Sequence, residues 1–148
     1  GGSPAAKNGS LTVMVGGEIE TLENIREVFE AFSGLIVHLG GVGSGQHAKI
    51  INNSLLAANM GLAHYCLKAA EDLSLDRQSF IQLINESSGR SFGFEVCARL
   101  SQPKDFQHGA SLLEKDIGLL ESVLGNHSSV SAIQNAATNF LGLALQRE

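Results

Sequence analysis

Lys49 and Asn53 are the two residues whose types and spacing best suit them to chemistry. They stand four residues apart, directly after the glycine-rich stretch Gly40-Gly41-Val42-Gly43-Ser44-Gly45, and on a helix that spacing places both side chains on one face. A lysine near a helix start is a candidate general acid or base, because the positive helix end and burial both disfavour an ammonium charge. Asn53, one turn deeper, offers a donor and an acceptor to a bound hydroxyl or carbonyl. From Ile50 to Leu67 there is no charged residue, so the helix is expected to be buried on nearly all sides. A solvated lysine and a locally bonded asparagine account for the same spacing.

The glycine stretch also has the outline of a different site. Gly43-Ser44-Gly45-Gln46-His47-Ala48 is a GxGxxA that follows an apolar run and opens a helix, which is the outline of a dinucleotide-binding turn. That turn needs a second strand ending in an acidic residue about twenty positions on. The residues there are Ala63, His64 and Tyr65, inside the continuing helix, so the glycines are read as a close-packed turn. Farther along, Lys115 lies on a strip with Ser111, Gly118 and Ser122, small residues that let a ligand or another surface approach. A solvent-facing strip explains that pattern too. The histidines are scattered and form no metal-ligand pattern, so no metal is expected. Cys66 and Cys97 lack partners at zinc or CxxC spacing and are read as buried reduced thiols.

The elements that must position these residues fall into two kinds. Leu11-Thr12-Val13-Met14-Val15 and Leu35-Ile36-Val37-His38-Leu39 are β-branched apolar runs, each ended by a glycine pair. Between them Leu22, Ile25, Val28, Phe29 and Phe32 repeat at helical spacing, with Gly34 as a C-cap. This predicts a strand-helix-strand unit, and two strands alone make no independent sheet. From Ser44 on, only helices are expected: about Gly45–Leu73, a shorter one capped by Asp76 and reaching about Glu86, Phe92–Leu100, Ala110–Leu124 stopped by Gly125-Asn126, and Val130–Leu145. The domain boundary is placed at about Gly40 to Ser44.

Composition narrows the function classes. The 148 residues carry 10 basic and 15 acidic side chains, a net charge of -5, with no tryptophan. No basic cluster exists to track phosphates, so nucleic acid is an unsuitable partner. The uncharged run carries Asn52, Asn53, Ser54, Asn59 and His64 and reads as a core helix, so no membrane partner is expected. No signal peptide is visible at Gly1-Gly2-Ser3-Pro4, and with the reduced thiols this points to a cytoplasmic protein.

Several motifs in order give a more specific reading. Gly43 to Asn53, Ala69-Ala70-Glu71, Ser87-Ser88-Gly89-Arg90-Ser91 and Lys115-Asp116-Ile117-Gly118-Leu119 together resemble the β-hydroxyacid dehydrogenases, the relatives of 3-hydroxyisobutyrate dehydrogenase. The likeness covers nearly the whole chain. Even Gly1-Gly2, followed by Ala6 and Gly9-Ser10-Leu11-Thr12, resembles the tail of that family's substrate loop and the last strands of its cofactor domain. The resemblance implies a mainly α chain: residues 1–43 as the C-terminal end of a Rossmann domain, and 44–148 as an all-helical catalytic and dimerisation domain of the 6-phosphogluconate dehydrogenase type. It implies a hydride transfer between NAD or NADP and a small β-hydroxy acid or its semialdehyde.

By the same resemblance Lys49 is the catalytic lysine, and Asn53 orients the substrate. Gly2 belongs to the substrate loop, and Lys115, with Asp116 beside it, contacts the cofactor. Phe106 is assigned to the cofactor as well, although the family usually has two phenylalanines ahead of that lysine and here Ala110 stands where a second is expected. The chain by itself is not expected to turn over substrate. The long apolar helix predicts a homodimer or homotetramer. A non-catalytic oligomerisation module of this fold is the competing reading, and retention of both Lys49 and Asn53 argues against it.

Overall fold

The computed structural model of the chain describes residues 2–125 and 127–147. In order it contains α1 (Gly2–Lys7), β1 (Leu11–Val15), α2 (Ile19–Glu30), β2 (Ser33–His38), α3 (Ser44–Asp72), α4 (Arg77–Asn85), α5 (Phe92–Arg99), a 3-10 turn at Pro103–Phe106, α6 (Gln107–Leu124) and α7 (Ser128–Ala144). Packing divides the chain into two compact units, Gly1–Ile50 and Ile51–Glu148. The first turns of α3 thus belong with the sheet, a little beyond the turn at Gly40 to Ser44.

The first unit is the expected strand-helix-strand. β1 and β2 pair in parallel from Thr12↔Leu35 to Val15↔His38, joined through α2, whose buried residue is Leu22. Gly34 does not cap α2. The helix ends at Ala31, and Gly34 falls at an irregularity in β2 between the pairs Leu11↔Ser33 and Thr12↔Leu35. A Cβ there would stand 3.4 Å from the carbonyl oxygen of Gly9, so the glycine serves a close backbone approach. α1 has no apolar periodicity to announce it; its Pro4 sits in the first turn, where the missing N–H costs nothing. Gly1 and Asn126, named above for the substrate loop and for the stop of α6, lie outside the described residues.

The second unit is helical throughout. The cap read from sequence is present: Asp76 accepts from the Ser79 N–H at 2.8 Å, and its hydrogen bonds there hold its carboxyl below the usual carboxylate range. Ser91 caps α5 by accepting from the Phe94 N–H at 3.0 Å. The core joins Ala57, Met60, Ala63 and Leu67 of α3 to Phe94 and Cys97 of α5, Leu113 and Ile117 of α6, and Phe140 and Leu141 of α7. α6 starts three residues earlier than expected, at Gln107, and its terminal Leu124 is exposed, because Gly125 at φ 65° ends the helix and its packing together.

Two expectations about burial are corrected. α3 is buried on one face only: Ser54, Ala57, Met60, Ala63 and Leu67 face the core, whereas Ile51, Leu55, Leu62 and Tyr65 are exposed. The lack of charge on α3 therefore marks an uncovered apolar row as well as a core face. Cys97 is buried and Cys66 is exposed. Burial pushes the Cys97 thiol up to about 12, and its Sγ donates to the Met60 carbonyl at 3.4 Å. Cys66 stands beside Ala63 at the edge of the buried face of α3, where it remains exposed.

Close backbone contacts tie α3 to its neighbours. A Cβ on Gly61 would overlap the Ala136 carbonyl oxygen of α7, and one on Gly93 would stand 3.0 Å from the Met60 nitrogen of α3. Both contacts involve backbone, so neither can be relieved by a rotamer change. Gly61→Ala is accordingly expected to destabilise the protein by about 2 kcal/mol, the overpacking cost less the helix-propensity gain of roughly 1 kcal/mol, as read from urea unfolding.

His64 supplies a pH test. Its ring lies 5.9 Å from that of Phe140 and 5.4 Å from that of Tyr65. Desolvation, with a smaller contribution from Lys68, holds its imidazole below the ordinary value of 6.5. The unfolded chain therefore takes up the proton first as pH falls, and folded-state stability from this group is present above pH 6.5 and lost on going below it. A pH series of unfolding midpoints is expected to show this acid-side loss in the wild type and a flatter profile in His64→Gln.

Candidate active site

The start of α3 is set by glycine. Gly40 and Gly43 have φ of 119° and 92°, a region that side-chain-bearing residues rarely adopt. Gly45 is buried, and a Cβ on it would stand 2.5 Å from the Met14 carbonyl oxygen. On the facing strand end, a Cβ on Gly16 would stand 2.6 Å from the Gly41 oxygen and 2.6 Å from Ser44 Oγ. The glycines of the GxGxxA thus serve to lay the first turn of α3 on the end of β1, backbone against backbone.

Lys49 follows one turn later and is exposed. The burial that the uncharged stretch implied for it is absent, because at this point α3 has only the sheet end on one side. Asn53, on the same face of the same helix, is half-buried and strongly engaged. Its Nδ2 donates to Asp116 Oδ2 of α6 at 2.6 Å. Its Oδ1 accepts from Asn52 Nδ2 at 3.3 Å. Asp116 in turn is buried, with 4% of its surface exposed, and its Oδ1 lies 3.3 Å from Lys115 Nζ. Both oxygens of one buried carboxylate are therefore taken, one by a neutral amide and one by an ammonium, which is how a buried charge is kept tolerable.

The structure thus brings together Asn53, Lys115 and Asp116, across 63 positions of sequence. Lys115 keeps 59% of its side chain in solvent, so its ammonium is held on one side and open on the other. Phe106 is engaged with the core: its ring is 6.3 Å from that of Phe140, and Gly109 lies so close that a Cβ there would overlap the ring. Gly2 is the first residue of α1, exposed, with φ 63°. His47 is exposed and no cluster of metal ligands occurs among the described residues.

Helical spacing did not reveal the Asn53–Asp116 bond, but a signal for it was present. Asp116 sits with Leu113, Ile117 and Leu120 on the buried stripe of α6, and an acidic residue on an apolar face requires a donor across the interface. Reading Asp116 only as the neighbour of Lys115 passes over that requirement.

Residues 43–147 match the family described as NAD-binding of NADP-dependent 3-hydroxyisobutyrate dehydrogenase. Residues 1–40 match the NAD binding domain of 6-phosphogluconate dehydrogenase. The mitochondrial 3-hydroxyisobutyrate dehydrogenase of Drosophila melanogaster is 34% identical over 87% of this chain and 43% of its own length. The NAD-dependent L-serine dehydrogenase of Pseudomonas aeruginosa is 31% identical over 99% of this chain and 52% of its own. Among solved structures, the 3-hydroxyisobutyrate dehydrogenase of Mycobacterium tuberculosis with L-serine superimposes with a TM-score of 0.79 at 30% identity, covering 97% of this chain and 53% of that one. The chain spans about half the length of the relatives it matches.

Proposed function

This chain belongs to the β-hydroxyacid dehydrogenases, the family of 3-hydroxyisobutyrate dehydrogenase, and from that premise we propose that it is the C-terminal part of an NAD(P)-dependent enzyme acting on a small β-hydroxy acid. The observation that carries the reading is the placement of Asn53, one helical turn beyond Lys49, against the Lys115-Asp116 pair of α6. These are the positions to which the family's substrate, proton-transfer and cofactor roles fall. The relatives named for 3-hydroxyisobutyrate and L-serine support a substrate bearing a hydroxyl and a carboxylate on a short carbon skeleton.

The residues present fit a nicotinamide nucleotide. Lys115 has an ammonium anchored at 3.3 Å by Asp116 and otherwise open to solvent, suited to anionic or polar oxygens of a nucleotide. Phe106, committed to Phe140 on one side, would offer only the remaining edge of its ring. The cofactor, when bound, supplies hydride chemistry. On the protein side, Lys49 in its amine form takes the proton of the substrate hydroxyl during oxidation, and as ammonium returns it to the carbonyl oxygen during reduction. Asn53 holds that oxygen in line with the lysine. Gly2, at a φ of 63°, would let the substrate-loop backbone approach the acid.

The exposed apolar row on α3, comprising Ile51, Leu55, Leu62 and Tyr65, supports burial against a second subunit in a homodimer or homotetramer. The unpaired thiols of Cys66 and Cys97 support a reducing compartment such as the cytoplasm. No helix among the described residues is long and apolar enough to cross a membrane.

Two measurements test this reading. In the full-length protein Lys49→Ala is expected to lower kcat by about a thousandfold, within the range of general acid–base contributions, with a much smaller effect on KM; intact turnover would remove the catalytic assignment. Light scattering on the same protein is expected to give the mass of two or four subunits, and a clean monomer would contradict the assembly.

A further inference from the structure

Asp116 has a different relation to the site from that of its neighbour Lys115. Its carboxylate is buried, it stands on the core stripe of α6 with Leu113 and Ile117, and each of its oxygens already has a partner, Asn53 by hydrogen bond and the Lys115 ammonium by charge. A group so enclosed has no free edge for a nucleotide. It does have a decisive effect on Asn53, whose carboxamide can present either end to a ligand. A carboxylate only accepts hydrogen bonds, so the 2.6 Å contact requires the Asn53 nitrogen to face Asp116. The carbonyl oxygen is then turned the other way, where Asn52 Nδ2 reaches it at 3.3 Å.

We propose that Asp116 is a positioning residue that fixes the orientation of the Asn53 carboxamide, so that its nitrogen, held by the carboxylate through one proton, keeps the other to donate to the hydroxyl or carbonyl oxygen of the substrate, and that the same carboxylate sets Lys115 relative to it. The inference rests on the reading of Asn53 as the substrate-orienting residue, and adds to it that Asp116 decides which end of the amide meets the substrate oxygen. Reversal of the amide would set the Asn53 oxygen against the carboxylate and take the donor away from the substrate oxygen. One buried carboxylate thereby indexes a substrate group on α3 to a cofactor group on α6.

The test has a structural arm and a kinetic arm. In ¹⁵N-labelled wild-type protein, one Asn53 side-chain proton is expected to be shifted downfield and protected from solvent exchange. Asp116→Asn, which keeps the side-chain shape but can either donate or accept, is expected to abolish both features. An Asn53 amide that is solvent-averaged in the wild type overturns the proposal whether or not the variant folds.

In the kinetic arm Asp116→Asn is expected to lower kcat for the alcohol about tenfold, the scale of one lost charge-assisted hydrogen bond, with KM nearly unchanged. The double variant Asn53→Ala/Asp116→Asn is expected to be no slower than Asn53→Ala alone, since Asp116 acts through Asn53. Independent, multiplying losses would overturn the positioning role even if the wild-type amide is locked. A protein with a locked Asn53 but no dehydrogenase activity would instead defeat the functional reading on which this inference rests.

Discussion

The constraint on which this structure depends is the absence of side chains where α3 meets its neighbours. At its first turn Gly45 lies under the Met14 carbonyl of β1, in its middle Gly61 lies under the Ala136 carbonyl of α7, and Gly93 brings α5 onto the Met60 backbone. Contacts of backbone on backbone leave no rotamer to adjust, so they fix helix position more tightly than interdigitated leucines do. A helix of 29 residues held in this way is a suitable carrier for groups that must be placed to a fraction of an ångström. Lys49 and Asn53 ride on it.

The second organising feature is electrostatic. Burying a carboxylate costs several kcal/mol unless its charge finds partners, and Asp116 meets that demand with a hydrogen bond from Asn53 on one oxygen and the Lys115 ammonium 3.3 Å from the other. The cost of leaving it unpaired makes the arrangement specific: an alternative packing of α6 on α3 that parted Asn53 from Asp116 would strand the charge. Packing of the apolar stripe brings the helices together, and the carboxylate fixes which residues meet when they do.

The surface of α3 carries a third message. Its uncharged stretch from Ile50 to Leu67 combines a core face with an exposed row of Ile51, Leu55 and Leu62. On one side the lack of charge suits a face that the chain itself covers, and on the other it leaves the face proposed above for assembly. The proposed assembly and the catalytic helix are thus the same element. Whatever orders α3 also orders the residues proposed to transfer the proton and hold the alcohol.

Much of this was legible in the order of residues. Alternating β-branched runs around an amphipathic stretch specified the strand-helix-strand, Asp76 specified a helix start by its own hydrogen bond, and several motifs in order specified the family. These are local properties, fixed by propensity and by contacts within a few positions. What lay beyond the sequence were relations across distance. Nothing local shows that Gly34 relieves a contact with Gly9, that Cys66 remains exposed while Cys97 is buried, or that Lys49 stands exposed at the head of an uncharged helix. Above all, the bond between Asn53 and Asp116 spans 63 positions and exists only because α6 packs on α3. Sequence determined which groups are available for chemistry. Tertiary packing decided which way the amide of Asn53 points, because only a buried acceptor with no proton to give can settle that choice.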